Sequence, residues 1–138
     1  MESPLPRPIA AVLLLAASAA ALVAAPVRAQ QAIGYYCAWL GPEDFVSSRG
    51  VRLTSLPAII QQDRANFHRF GIRHEADMDD PWFGSQEARA AIPGLYRRDL
   101  SDPGIERAVL SGTMRYVLVV LHGTGGAVTA LSVDYCAG

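Results

Sequence analysis

Two cysteines, Cys37 and Cys136, constrain this chain of 138 residues more than any other feature. An even pair without CxxC or other metal-type spacing reads as a disulfide wherever the compartment is oxidising, rather than as a redox or zinc motif. Only one intramolecular pairing exists. It closes a loop of almost the whole folded portion, a cross-link worth about 4–5 kcal/mol by chain-entropy reasoning, less any strain. A fold with this staple must bring its first and last structured segments together.

The compartment is read from the first thirty residues. Arg7 supplies a positive charge, Ile9 to Ala25 form an uncharged Ala/Leu/Val run, and Val27-Arg28-Ala29 places small residues where a signal peptidase cuts. Residues 1–29 are therefore expected to be a cleavable signal peptide, and residues 30–138 a single small domain. As a membrane anchor the run falls short of the roughly 20 apolar residues that span comfortably, and it closes at Pro26. No cysteine lies near Ala29 to carry a lipid. All 12 basic residues are Arg, and Ala, Gly and Pro are abundant, a bias that suggests a GC-rich bacterial genome. The expectation is a secreted or periplasmic bacterial protein with no membrane association after cleavage. Without Glu2, Arg7 and Arg28, 10 Arg face 12 acidic residues, so nucleic acid or an anionic membrane finds no electrostatic support.

Along the folded portion, "IGYYCAWL" (33–40) is β-branched and aromatic and ends at Gly41-Pro42, which predicts a strand. "TSLPAIIQQDRANFHRFG" predicts a long helix, with Thr54 or Ser55 as cap, Pro57 in the first turn and Gly71 at the exit. At 100° per residue Leu56, Ile59, Ile60, Phe67 and Phe70 share its apolar face. Asp63 interrupts that stripe. A buried carboxylate is costly unless paired, so Asp63 is expected either to meet an Arg or a set of N–H groups from another segment, or to sit at the rim. Two short helices follow: 85–92, capped by Ser85 and stopped by Pro93-Gly94, and one after Asp102-Pro103 that exits at Gly112. "MRYVLVVL", the turn "HGTGG" and "AVTALSVDYC" predict a β-hairpin whose Cys136 faces Cys37. The sum is an α+β fold: a small antiparallel sheet of the N-terminal strand plus the C-terminal hairpin, packed by one long helix and one or two short ones.

No motif names a chemistry. "HGTGG" leads into a strand pattern and has no Lys, so it is a hairpin turn rather than a phosphate loop. "HEADM" starts like HExxH but ends in Met78, and His68, His74 and His122 are scattered. There is no GxSxG elbow. The adjacent pairs Glu43-Asp44 and Asp79-Asp80 have no hydrolase-like separation. The stretch "IRHEADMDDPWFG" (72–84) places four carboxylates in six residues, which suggests a non-standard Ca²⁺ site at Asp77, Asp79 and Asp80, although Pro81 and Trp82 break the EF-hand pattern. The plainer reading is a solvated connector neutralised by Arg69, Arg73 and His74, with Trp82-Phe83 anchoring it to the core.

Alternation sends Tyr35, Cys37 and Trp39 to one face of the first strand and Tyr36 to the other. If the Cys37 face is core, Tyr36 is exposed and belongs to a partner surface. These features favour a small non-catalytic binding or accessory domain with a protein or small-ligand partner and no cofactor. The alternatives are a periplasmic hydrolase or metal-dependent enzyme using His68, His74, Asp77 and Asp79, and a structural component of the cell envelope. An enzyme requires two or more of those four side chains to converge in one concave pocket.

Overall fold

A computed structural model describes residues 30–137. The expected signal peptide, residues 1–29, lies outside the described residues. Among those described, no helix is long and apolar enough to cross a membrane.

The fold is α+β. Strand β1 (Gln31–Leu40) is followed by helix α1 (Leu56–Ala65), which runs directly into a π-turn (Asn66–Phe70). Helices α2 (Gln86–Leu95) and α3 (Pro103–Leu110) precede strands β2 (Arg115–Thr124) and β3 (Ala127–Tyr135). The sheet is antiparallel in the order β1-β2-β3, with Tyr36 opposite Val119 and Val119 opposite Val133. Gly125 and Gly126, at φ 63° and 84°, form a two-residue turn of the type whose twist suits a hairpin. β2 therefore runs on to Thr124, through most of the stretch expected to be turn.

The helices start where their side chains supply oxygen to orphan N–H groups. Ser55 accepts from Ala58 N–H, Ser85 from Ala88 N–H and Asp102 from Gly104 N–H. All three pack on the sheet face that carries Tyr36, Ala38, Val117, Val119, Leu121 and Val133, and that interface is the core. α2 does not stop before Pro93. It continues to Leu95, because a proline in the last turn forfeits one helical hydrogen bond while Ile92 and Leu95 still pack against the core.

Cys37 and Cys136 are disulfide-bonded, with Cα atoms 5.9 Å apart. Neighbouring strands lie about 4.8 Å apart, so positions two strands apart sit near 10 Å. The link therefore reaches past β2, to which Cys136 N–H still donates at the Tyr116 carbonyl, 3.2 Å away. Both sheet edges are capped over part of their length. On β1, Met78 N–H donates to the Cys37 carbonyl and Trp39 N–H to Asp77 Oδ1, at 2.9 and 2.8 Å. On β3, Arg97 and Asp102 N–H donate to the carbonyls of Leu131 and Val133, and Ser101 Oγ accepts from Val133 N–H. Such cover blunts edge-to-edge association.

Candidate functional site

β1 turns Tyr36 inward. Its ring is 0 % exposed, T-stacked on Phe83 and covered by the Arg64 guanidinium. The expectation that Tyr36 forms a partner surface is thus corrected: the Cys37 face is the outer one, and Tyr35 (59 % exposed) is the tyrosine that solvent reaches. Alternation gives the parity of a strand but not which parity meets the helices.

Asp63 is buried and ion-paired, not at the rim. Its arginine is its own neighbour, Arg64, whose Nε lies 2.7 Å from Asp63 Oδ2; the other segment enters through Asp80, 2.9 Å from Arg64 Nη1. His68 Nε2 lies 2.7 Å from the same Asp80 oxygen. The Arg64 guanidinium is stacked between the rings of Tyr36 and Phe67, 4.4 and 4.5 Å from their centroids. Burial raises the Asp63 carboxyl to about 7 against the pull of Arg64. Asp80 is also penalised by burial, but the Phe83 N–H, His68 and Arg64 outweigh it and hold its carboxyl below the usual range.

The acidic stretch is a strap rather than a cation loop. Asp77 spends one oxygen on Trp39 N–H and the other on His74 N–H, at 2.8 Å each. Asp80 Oδ1 accepts from Trp82 and Phe83 N–H, which seats Phe83 in the core. Asp79 stands in solvent, 3.8 Å from Arg73. Asp77, Asp79 and Asp80 therefore do not share a site. The proposed enzyme set is dispersed as well: His68 faces Asp80, His74 lies near Glu43 and Asp44, and Asp77 serves backbone.

The concave surface lies on the other side of α1, and residues of the π-turn help line it. Five residues, Asn66 to Phe70, take a wider turn than the α-helix allows, and Gly71 closes it at φ 68°. The added residue moves Phe70 off the stripe of Leu56, Ile59, Ile60 and Phe67, leaving it 44 % exposed, which corrects its expected place on the apolar face. Asn66, the first residue of that turn, is 4 % exposed, and its amide donates to Asp44 Oδ1 (2.8 Å) and the Glu43 carbonyl (3.3 Å). Gln62 in turn donates to Asn66 Oδ1 and Ser48 Oγ. Turns of this kind are over-represented at functional sites.

Phe70 and Gln62 stand between two hollows. One, of about 330 Å³, lies between α1 and α2, with Ser47, Gln61, Arg69 and Arg89 among the residues on its walls. The other, of about 350 Å³, is lined by Val46, Ile72, Asn66 and Glu43. Ser47, Ser48, Gln62 and Phe70 border both, so the two hollows adjoin. None of His68, His74, Asp77 and Asp79 lines either hollow. A third hollow, of about 410 Å³, lies on the outer sheet face at Tyr35, Leu118 and Val120. In the sequence "TSLPAIIQQDRANFHRFG" reads as a helix, with no cleft assigned to it. Among known proteins, no family model, curated protein or solved structure matches the chain.

Proposed function

We propose that this chain is a small exported bacterial domain that acts by binding, and that the cleft around Phe70 takes a small amphipathic ligand. The apolar part packs on Val46, Phe70 and Ile72, and a hydrogen-bonding or anionic head meets Arg69, Gln61 and Ser47. The observation that carries this reading is the π-turn, which removes a large aromatic ring from a core stripe and sets it between two hollows. A concave site with an apolar wall and a few convergent polar groups is the usual form of a small-molecule site. The disulfide and the partly covered strand edges suit an oxidising, crowded compartment.

The test is a titration of the ¹⁵N-labelled, disulfide-bonded protein with octanoate and with octyl glucoside, followed by amide chemical shifts. Saturable shifts are expected at Ser48, Gln62 and Phe70. Phe70→Ala, a change at a half-exposed ring, should weaken binding about tenfold, the worth of about 1.4 kcal/mol of lost apolar contact. Shifts confined to Tyr35 and Val120 would move the site to the outer sheet face. No saturable shift with either probe would end the reading.

A further inference from the structure

Outside that cleft reading, a second cluster brings together the side-chain types that hold transition metals. His74 Nε2 lies 3.7 Å from Glu43 Oε2 and 4.0 Å from Asp44 Oδ2, and one donor atom from each residue falls within 4.8 Å of the other two. A tetrahedral zinc ion with bonds near 2.1 Å holds its donors about 3.4 Å apart. Reaching that spacing closes the widest pair by up to about 1.4 Å and His74–Asp44 by about 0.6 Å, through side-chain rotation of the half-exposed Glu43 and of His74.

Two further observations fit a built site. Asp44 is 2 % exposed, and its carboxylate is fixed from behind by the Asn66 amide on Oδ1 (2.8 Å) and by Gly41 N–H on Oδ2 (2.9 Å), the outer-sphere bonding that orients metal ligands. Gly41 is extended, at φ −114° and ψ −177°, a conformation open to any residue, so its backbone does not need glycine. The space does. A Cβ at Gly41 would lie 2.7 Å from Glu43 Oε2 and 3.1 Å from both Cε1 and Nε2 of His74, inside the cluster itself. His74 is brought there by its backbone N–H bond to Asp77, which makes Asp77 a positioning residue.

We propose that Glu43, Asp44 and His74 form a divalent transition-metal site of the zinc class, cradled against Gly41. One imidazole and two carboxylates suit a borderline ion better than Ca²⁺ or Mg²⁺, which prefer all-oxygen shells. Two carboxylates and a neutral imidazole balance the charge of the ion, and three protein donors leave a fourth position for water. The proposal does not rest on the ligand of the cleft.

The test is calorimetric titration of the disulfide-bonded protein with Zn²⁺ alone, paired with the visible absorption of the Co²⁺ form. No free cysteine competes for the ion among the described residues. One equivalent should bind, with the intense d–d bands of a four-coordinate site. His74→Ala and Glu43→Gln should each raise Kd by about tenfold or more, and Gly41→Val, which removes no donor, should do the same by filling the cradle. His68→Ala and His122→Ala should bind as the parent protein does. If His74→Ala does not fold, Glu43→Gln, an isosteric change at a half-exposed side chain, tests the same donor set. Failure of the parent protein to take up either ion, or affinity that follows His68 or His122 instead of His74, would overturn the assignment.

Discussion

Asp63 offers the sharpest quantitative test of the buried charge array. Its folded carboxyl titrates at about 7, against an ordinary value of 3.8. Between those values the folded protein holds the proton more tightly than the unfolded chain does, so stability falls as pH rises. The contribution is fully present below pH 3.8 and is gone above about pH 7. Linkage for one such group gives a loss of roughly 2–3 kcal/mol between pH 5 and pH 8. Asp80 has the opposite sign, but its folded carboxyl is lowered, so its contribution changes only below that window. Asp44 is raised by burial and adds a slope of the same sign as Asp63, which the mutant comparison removes. Asp63→Asn keeps the shape and an oxygen for Arg64 Nε but has no proton to lose. Urea unfolding of both proteins from pH 5 to pH 8 should show the parent losing stability relative to Asp63→Asn by roughly 2–3 kcal/mol. Parallel pH profiles would refute the reasoning, because they would mean that Asp63 has the same proton affinity folded and unfolded.

Other consequences are as direct. Cys37→Ser with Cys136→Ser opens a loop spanning 99 residues, and denaturant unfolding should show a loss of about 4–5 kcal/mol less strain. Asp77→Ala strips acceptors from two backbone donors, Trp39 N–H and His74 N–H; a loss of about 1–3 kcal/mol is expected, with faster hydrogen exchange at the Trp39 amide. Asn66→Ala leaves the buried Asp44 without its amide donor, and thermal unfolding should report a cost of similar size, about 1–3 kcal/mol. In the same variant the Phe70 ring should lose its exposed position, visible as altered aromatic shifts.

Much of the architecture is written in local chemistry. The caps at Ser55, Ser85 and Asp102, the Gly-Gly turn and the cysteine pair each act within a few residues or through a covalent bond, and each lies where its residue type implies. What escapes sequence reasoning depends on distant partners. The facing of β1 is decided by which side the helices cover, so Tyr36 and Tyr35 exchange roles. The carboxylates of "HEADMDD" look alike on paper, yet Asp77 and Asp80 bind N–H groups from the sheet edge and the Phe83 turn, whereas Asp79 is solvated. The π-turn carries no signature in its residue types, because Asn66 is held by Asp44, 22 residues earlier. Glu43 and Asp44 sit on one connection and His74 on another, and their one local hint is a glycine whose backbone does not require it.

A π-turn is a helix holding one residue too many, and that surplus acts as a rotor. Each π-helical residue advances less than the roughly 100° of an α-helix, so by Phe70 the chain is aimed differently from an uninterrupted α-helix. The segment so re-aimed carries Phe70, then His74, and then the strap that closes β1. Deleting one residue between 66 and 70 would therefore do more than shorten a surface helix. It would swing a ring toward the core, pull the imidazole from its carboxylates and lift Asp77 off the strand. One backbone insertion thus sets the angular phase of the cleft, the metal donors and the sheet edge together.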